Sequence, residues 1–291
     1  MSRIGIIGFG EVGGIFAKDF AAAGAHVTAF DAAPAAQARA REAGMAAPDA
    51  PSVARSAEIV FVCVTAGSAL DAMRSLAGGL DHAPLVVDVN SVSPATKQSS
   101  GQIIERLGER YVEAAVMASV PPKRLRTPIL LGGPHAGAFK DGTASFGMDT
   151  QVFSPEIGRA SSVKMCRSVT IEGLEALTTE CMLAARHCGV EQDVLRTMGD
   201  TLPHSDRPGL ARYVISRALI HRRRRAEEMG EVAETVADAG IEPLLSRAIA
   251  ERPDRAWRRG AEMDAARDAP DLATMLDALT NARNLGKGAG A

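Results

Sequence analysis

Three glycines constrain this chain more than any other feature. Gly8, Gly10 and Gly13 stand at G-x-G-x-x-G spacing, directly after the short apolar run that starts at Arg3 and at the head of an Ala-rich stretch. A strand that turns at once into a helix needs small residues there: Gly8 for the tight turn, Gly10 for close backbone approach to a pyrophosphate, Gly13 for close packing of helix on strand. The first amides of such a helix face an anion. Gly8, Phe9, Gly10, Glu11, Val12 and Gly13 are therefore the candidate phosphate-binding turn. The next strand is expected over His26–Asp31, and Asp31 falls 23 residues after Gly8, where a carboxylate accepts hydrogen bonds from an adenosine ribose diol. A 2′-phosphate beside that carboxylate is repelled, so NAD is expected. NADP stays open, because Arg39 and Arg41 lie a helical turn or more further on. Read without a ligand, the same residues are a tight βα turn and a strand-end cap.

To about Gly133 the chain alternates β-branched runs with Ala-rich segments, the pattern of a parallel sheet covered on both faces. Strands are expected at 3–8, 26–31, 58–64, 85–89, 111–116 and 128–131, with helices at 12–23, 35–43, 68–78 and 94–107, the last opened by Pro94. The end of the third strand adds Val64 and Thr65 to the candidate cofactor contacts. After Ser154 strand signals stop. Small and apolar residues at Val163, Cys166, Thr170, Gly173, Leu174, Leu177, Cys181, Ala184 and Cys188 predict one long amphipathic helix over 156–187. Further helices are expected at 192–199, 209–239 with a break near Gly230, 242–250 and 271–284. The fold class is thus α/β: a Rossmann doubly wound, mostly parallel sheet (1–154), followed by an all-α domain (155–291) that begins with a long interdomain helix.

Composition removes other classes. Lys and Arg number 33 against 35 Asp and Glu, a net charge of −2, which gives no long-range attraction for nucleic acid despite the run Arg222-Arg225. No apolar run approaches the roughly 20 residues that span a bilayer, and no signal-peptide pattern precedes the first strand, so a cytoplasmic location away from membranes is expected. Cys63, Cys166, Cys181 and Cys188 form no CxxC pair and no ligand spacing with histidine; neither disulfides nor a metal site is expected. A long apolar helix face is costly unless covered, which predicts a homodimer.

Asp88-Val-Asn-Ser-Val-Ser-Pro94 resembles the D-x-S-T-x-S-P segment of the β-hydroxyacid dehydrogenase family, which includes 3-hydroxyisobutyrate dehydrogenase and 6-phosphogluconate dehydrogenase. The resemblance implies that Ser91, with Asn90 beside it, lies near nicotinamide and substrate. Glu113-Ala-Ala-Val-Met-Ala-Ser119 resembles the family's D-A-P-V-S-G-G, but the S-G-G that holds a substrate carboxylate has become Met117-Ala118-Ser119, leaving Ser119 as the surviving hydroxyl. Gly158-Arg-Ala-Ser-Ser-Val-Lys-Met-Cys-Arg-Ser168 resembles G-x-G-x-x-x-K-x-x-x-N: Lys164 falls on the catalytic lysine, and Ser168 replaces the asparagine. Glu172-Gly-Leu-Glu-Ala-Leu177 and His221-Arg-Arg-Arg-Arg-Ala-Glu-Glu-Met229 resemble an uncharacterised C-terminal domain type attached to 6-phosphogluconate-dehydrogenase-like Rossmann domains.

The implied chemistry is hydride transfer between NAD and a small hydroxy acid, giving its oxo acid. Lys164 is the general acid/base, and Ser91 and Ser168 are catalytic partners. Ser119, Lys164, Ser168, His221 and Arg225 are the candidate substrate contacts, with Lys123, Arg124 and Arg126 as further cations for a carboxylate. Without the resemblance, Lys164 reads as a side chain snorkelling to water. Two other functions stay open: an imine reductase-like enzyme of the same fold, whose lysine position usually differs, and a dinucleotide-binding sensor without turnover.

Overall fold

The computed structural model describes residues 2–79, 82–108, 110–198, 205–220, 222–256 and 265–287. The chain separates into two compact units, Met1–Cys166 and Arg167–Ala291. Among the described residues no helix is long and apolar enough to cross a membrane.

The first unit is built on seven strands: β1 (Arg3–Ile7), β2 (His26–Phe30), β3 (Ile59–Val62), β4 (Leu85–Asp88), β5 (Arg110–Val116), β6 (Ile129–Gly132) and β7 (Thr150–Ser154). Their spatial order is β2-β1-β3-β4-β5-β6-β7. Every pairing is parallel except β5 with β6, so the sheet is the mostly parallel one expected. Helices α1 (Glu11–Ala22), α2 (Pro34–Glu42), α3 (Ala50–Ser56), α4 (Ala69–Ser75), α5 (Pro94–Arg106), α6 (Val120–Lys123) and α7 (Ala136–Gly142) join the strands. Four of these, α1, α2, α4 and α5, fall where helices are predicted. The sequence reading missed α3, α6, α7 and the edge strand β7, whose residues are largely exposed.

Side chains alternate across each strand, and both faces are covered. Ile4, Ile6, Phe61 and Val87 join Phe16, Phe20 and Phe139 in one apolar layer, where the aromatic rings meet at centroid distances of 5.1 to 6.3 Å. Ile7, Val60, Val62 and Val86 join Val53, Met73, Ile104 and Tyr111 in the other. By the same alternation Asp88 follows Val86 into this second layer, with no exposure to solvent. Ser93 caps α5, accepting from the Thr96 amide at 3.2 Å, with Pro94 at the first helical position.

The helical region comprises α8 (Arg159–Cys188), α9 (Glu191–Thr197), α10 (Arg207–Ile220), α11 (Arg222–Asp238), α12 (Leu244–Ala256) and α13 (Leu272–Lys287). The boundary between the two units falls within α8. Gly230 lies inside α11, so the expected break is not there. In the single chain the small and apolar stripe predicted for α8 is exposed or part-buried. Cys166 and Cys188 are exposed, and Leu174 and Leu177 keep 42% and 61% of their surface. The buried positions include Ser161, Met165, Ser168, Glu172, Glu175, Thr179 and Met182, at alternating spacings of four and three. Two of these polar side chains are bonded within the chain: Glu175 pairs with Arg217 at 3.0 Å, and Thr179 Oγ1 donates to the Glu175 carbonyl at 2.6 Å.

A methyl group built on Gly13 lies 1.9 Å from the Gly8 carbonyl oxygen, a backbone atom that cannot swing aside. Gly13→Ala is therefore expected to lower the unfolding free energy by about 1–3 kcal/mol, the usual cost of overpacking. A urea midpoint equal to that of the parent protein would contradict this account of the turn.

Candidate functional site

The glycine turn is held by Asp31. One oxygen of its carboxylate accepts from the Phe9 amide at 2.6 Å, the other from the Ala33 amide at 2.8 Å. Arg39, expected to lie apart, reaches back from α2 to the Phe9 carbonyl at 3.2 Å, so its guanidinium stands beside the same turn. Arg41 and Asp31 line a cavity of about 610 Å³ with Phe30, Pro34, Gln37 and Ala47. Gly8 has a φ of +93°, and a side chain there would strike the Cys63 carbonyl at 2.4 Å. Gly10 differs from both other glycines, because a methyl group on it meets nothing within 4 Å. It opens α1, whose N-terminal amides no side chain caps. Glu11 and Val12 follow in the first turn.

Next to this turn lie the C-terminal ends of β3 and β4. Asn90 is buried; its Oδ1 accepts from the Val64 amide at 2.7 Å, and its own amide is held by Asp88 Oδ1 at 3.0 Å. Its side-chain nitrogen is buried and has no partner in the protein. Thr65, the residue after Val64, is exposed. Asp88 is compensated by groups that sequence reasoning did not single out. Lys97 Nζ lies 2.9 Å from Asp88 Oδ1 and donates to the Asp88 carbonyl at 2.7 Å; both side chains are 1% exposed or less. The Tyr111 hydroxyl donates to Asp88 Oδ2 at 2.9 Å. Burial first, and the charge of Asp88 second, push the Tyr111 phenol well above its usual range, which keeps it a donor.

Lys164 Nζ donates a hydrogen bond to Ser91 Oγ. These residues are 73 positions apart, and Lys164 is half-buried. What directs α8 at Ser91 is Glu113. This fully buried carboxylate accepts from the Gly158 amide at 2.7 Å and the Ser161 amide at 2.6 Å, capping the helix with both oxygens. Gly132 on the neighbouring strand leaves room for it, since a methyl group there would lie 2.3 Å from Glu113 Oε2. The sequence match drew attention to Glu113; its capping role shows only in three dimensions.

The other expected site residues are placed less closely. Ser119 is half-buried and opens α6. Ser168 is buried one turn after Lys164 on α8, beyond the division between the units. His221 lies outside the described residues, as does the side chain of Arg225. Arg124 is engaged: its Nε donates to Asp19 at 3.0 Å, so its charge is already met.

The first unit thus offers an uncapped helix N-terminus, a glycine that leaves open space before it, a strand-end carboxylate, a buried amide nitrogen lacking a protein partner, and an amine bonded to a hydroxyl. The first four fit a dinucleotide; the last pair can exchange a proton with a bound alcohol or carbonyl.

Residues 3–146 match the NAD binding domain of 6-phosphogluconate dehydrogenase, and residues 185–253 match a domain of unknown function (DUF1932). A conserved hypothetical protein from Sinorhizobium meliloti 1021 is 32% identical, with 97% of this chain and 96% of that one covered and a TM-score of 0.69. Conserved protein MTH1747 of unknown function, described as structurally similar to 3-hydroxyacid dehydrogenases, is also 32% identical, with 87% and 96% covered and a TM-score of 0.67. The 3-hydroxyisobutyrate dehydrogenase of Pseudomonas aeruginosa is 25% identical over 202 residues, 67% of this chain and 68% of that protein.

Removing one member of a buried ion pair strands the other, whereas removing both charges is often close to neutral. Lys97→Met is expected to cost about 3–5 kcal/mol in urea unfolding. Lys97→Met combined with Asp88→Asn should recover most of that, since it leaves no unpaired charge buried. A double variant as unstable as the single one would refute the ion-pair account.

Proposed function

Given that the chain belongs to the family that joins the NAD binding domain of 6-phosphogluconate dehydrogenase to a C-terminal domain of unknown function, we propose that it is an NAD-dependent oxidoreductase interconverting a small hydroxy acid and its oxo acid. The observation that carries this reading is the hydrogen bond from Lys164 Nζ to Ser91 Oγ beside the C-terminal edge of the sheet. When bound, the nicotinamide supplies the hydride donor or acceptor. Lys164, as the neutral amine, takes the hydroxyl proton of the substrate during oxidation; as the ammonium it returns a proton to the carbonyl oxygen during reduction. Ser91 holds the amine in place and shares the hydrogen bond to the substrate oxygen. Glu113 fixes the helix that brings the amine there. Met117 and Ala118, where the family carries serine and glycine, make the lining bulkier and more apolar and leave Ser119 as the surviving hydroxyl for the carboxylate.

For the dinucleotide, Asp31 supports NAD, because both its oxygens repel an added phosphate. Arg39 supports a second reading, NADP, since its guanidinium stands at the turn that Asp31 braces. Tighter binding of NADPH than of NADH would decide for the second.

Lys164→Met is expected to lower turnover by roughly 10²–10⁴-fold, the contribution of a general acid/base, with NADH affinity within about twofold of the parent. The assay panel is hydroxy acids, oxo acids and imines, followed at 340 nm. Equal turnover in the variant would remove Lys164 from the mechanism. Turnover of imines alone would favour an imine reductase, and tight NADH binding with no turnover in the parent would favour a sensor.

A further inference from the structure

The Lys97–Asp88 pair is a group the proposed mechanism leaves unused. It sits in the layer between the sheet and α5, among Val86, Ile104 and Tyr111, where an ion pair is costly and a well-packed apolar pair of similar volume is often as stable. Its position gives it a different use. Asp88 is the last residue of β4, and the irregular segment 89–93 that follows carries both Asn90 and Ser91. Lys97 binds the backbone carbonyl and the carboxylate of Asp88 together, and the same carboxylate oxygen holds the Asn90 amide. Asn90 in turn is bonded to Val64 at the end of the next strand, which orients its unpartnered nitrogen. Three bonds thus link one dry ammonium, through Asp88, to the backbone of Asn90, the residue before Ser91.

We propose that Lys97 is a positioning residue: locked against Asp88, it sets the 89–93 segment so that Asn90 and Ser91 meet the nicotinamide half of the dinucleotide. This rests on the dinucleotide-binding reading above. Lys97 touches neither cofactor nor substrate; it acts through Asp88.

The test compares NADH with ADP-ribose, which carries the adenosine and pyrophosphate but no nicotinamide. Affinities of both are measured by calorimetry on the full chain, for the parent, for the Lys97→Met/Asp88→Asn double variant and for Asn90→Ala. The parent should bind NADH at least tenfold more tightly than ADP-ribose. Each variant should lose about tenfold in NADH affinity, the value of roughly one hydrogen bond, and stay within twofold for ADP-ribose. NADH fluorescence enhancement should fall in parallel. A double variant that binds both ligands as the parent does, or loses both together, overturns the positioning role. Should the double variant fail to fold, Asn90→Ala carries the test alone, and an unchanged NADH affinity there overturns it. A parent that binds neither ligand overturns the dinucleotide reading itself, and the inference with it.

Discussion

Two carboxylates buried side by side govern the first unit. Asp88 on β4 and Glu113 on β5 are register partners on adjacent parallel strands, and neither is exposed. Like charges so placed repel, and each must be compensated separately. Asp88 takes an ammonium and a phenol; Glu113 takes the amides at the head of a 30-residue helix. The compensation is also the architecture of the site. The partners of Asp88 fix the segment that carries Ser91, the partner of Glu113 is the helix that carries Lys164, and the two side chains therefore meet.

Much of this fold was legible from residue order. Val-, Ile- and Phe-rich runs of four to six residues gave β1 to β6, because strands buried on both faces are continuously apolar. β7 escaped because an edge strand with exposed Val152 and Phe153 lacks that signal. The long helix was visible, but not which of its faces packs within the chain. Hydrophobicity singles out Cys166, Leu174 and Leu177, whereas the side buried within the chain carries Ser168, Glu172 and Glu175, which hydrophobicity scores as surface.

The same limit applies at the site. The glycine turn and Asp31 could be read from spacing alone: backbone geometry dictates glycine at positions 8 and 13, and Gly10 and Asp31 complete a dinucleotide-binding pattern. Lys164 and Ser91 could be singled out only through a resemblance, because their sequence separation hides their contact. Lys97, Tyr111 and the capping role of Glu113 gave no signal: a buried lysine is spelled like a solvated one, and only the third dimension shows which carboxylate it meets.

Gly10 bears on how such a chain drifts over generations. Positions 8 and 13 are locked from within, since any branch there collides with the chain's own backbone. Position 10 has empty space around it, so folding alone exerts no hold on it. A lineage that stopped using its nucleotide would be free to accumulate bulk at that one place while keeping its shape.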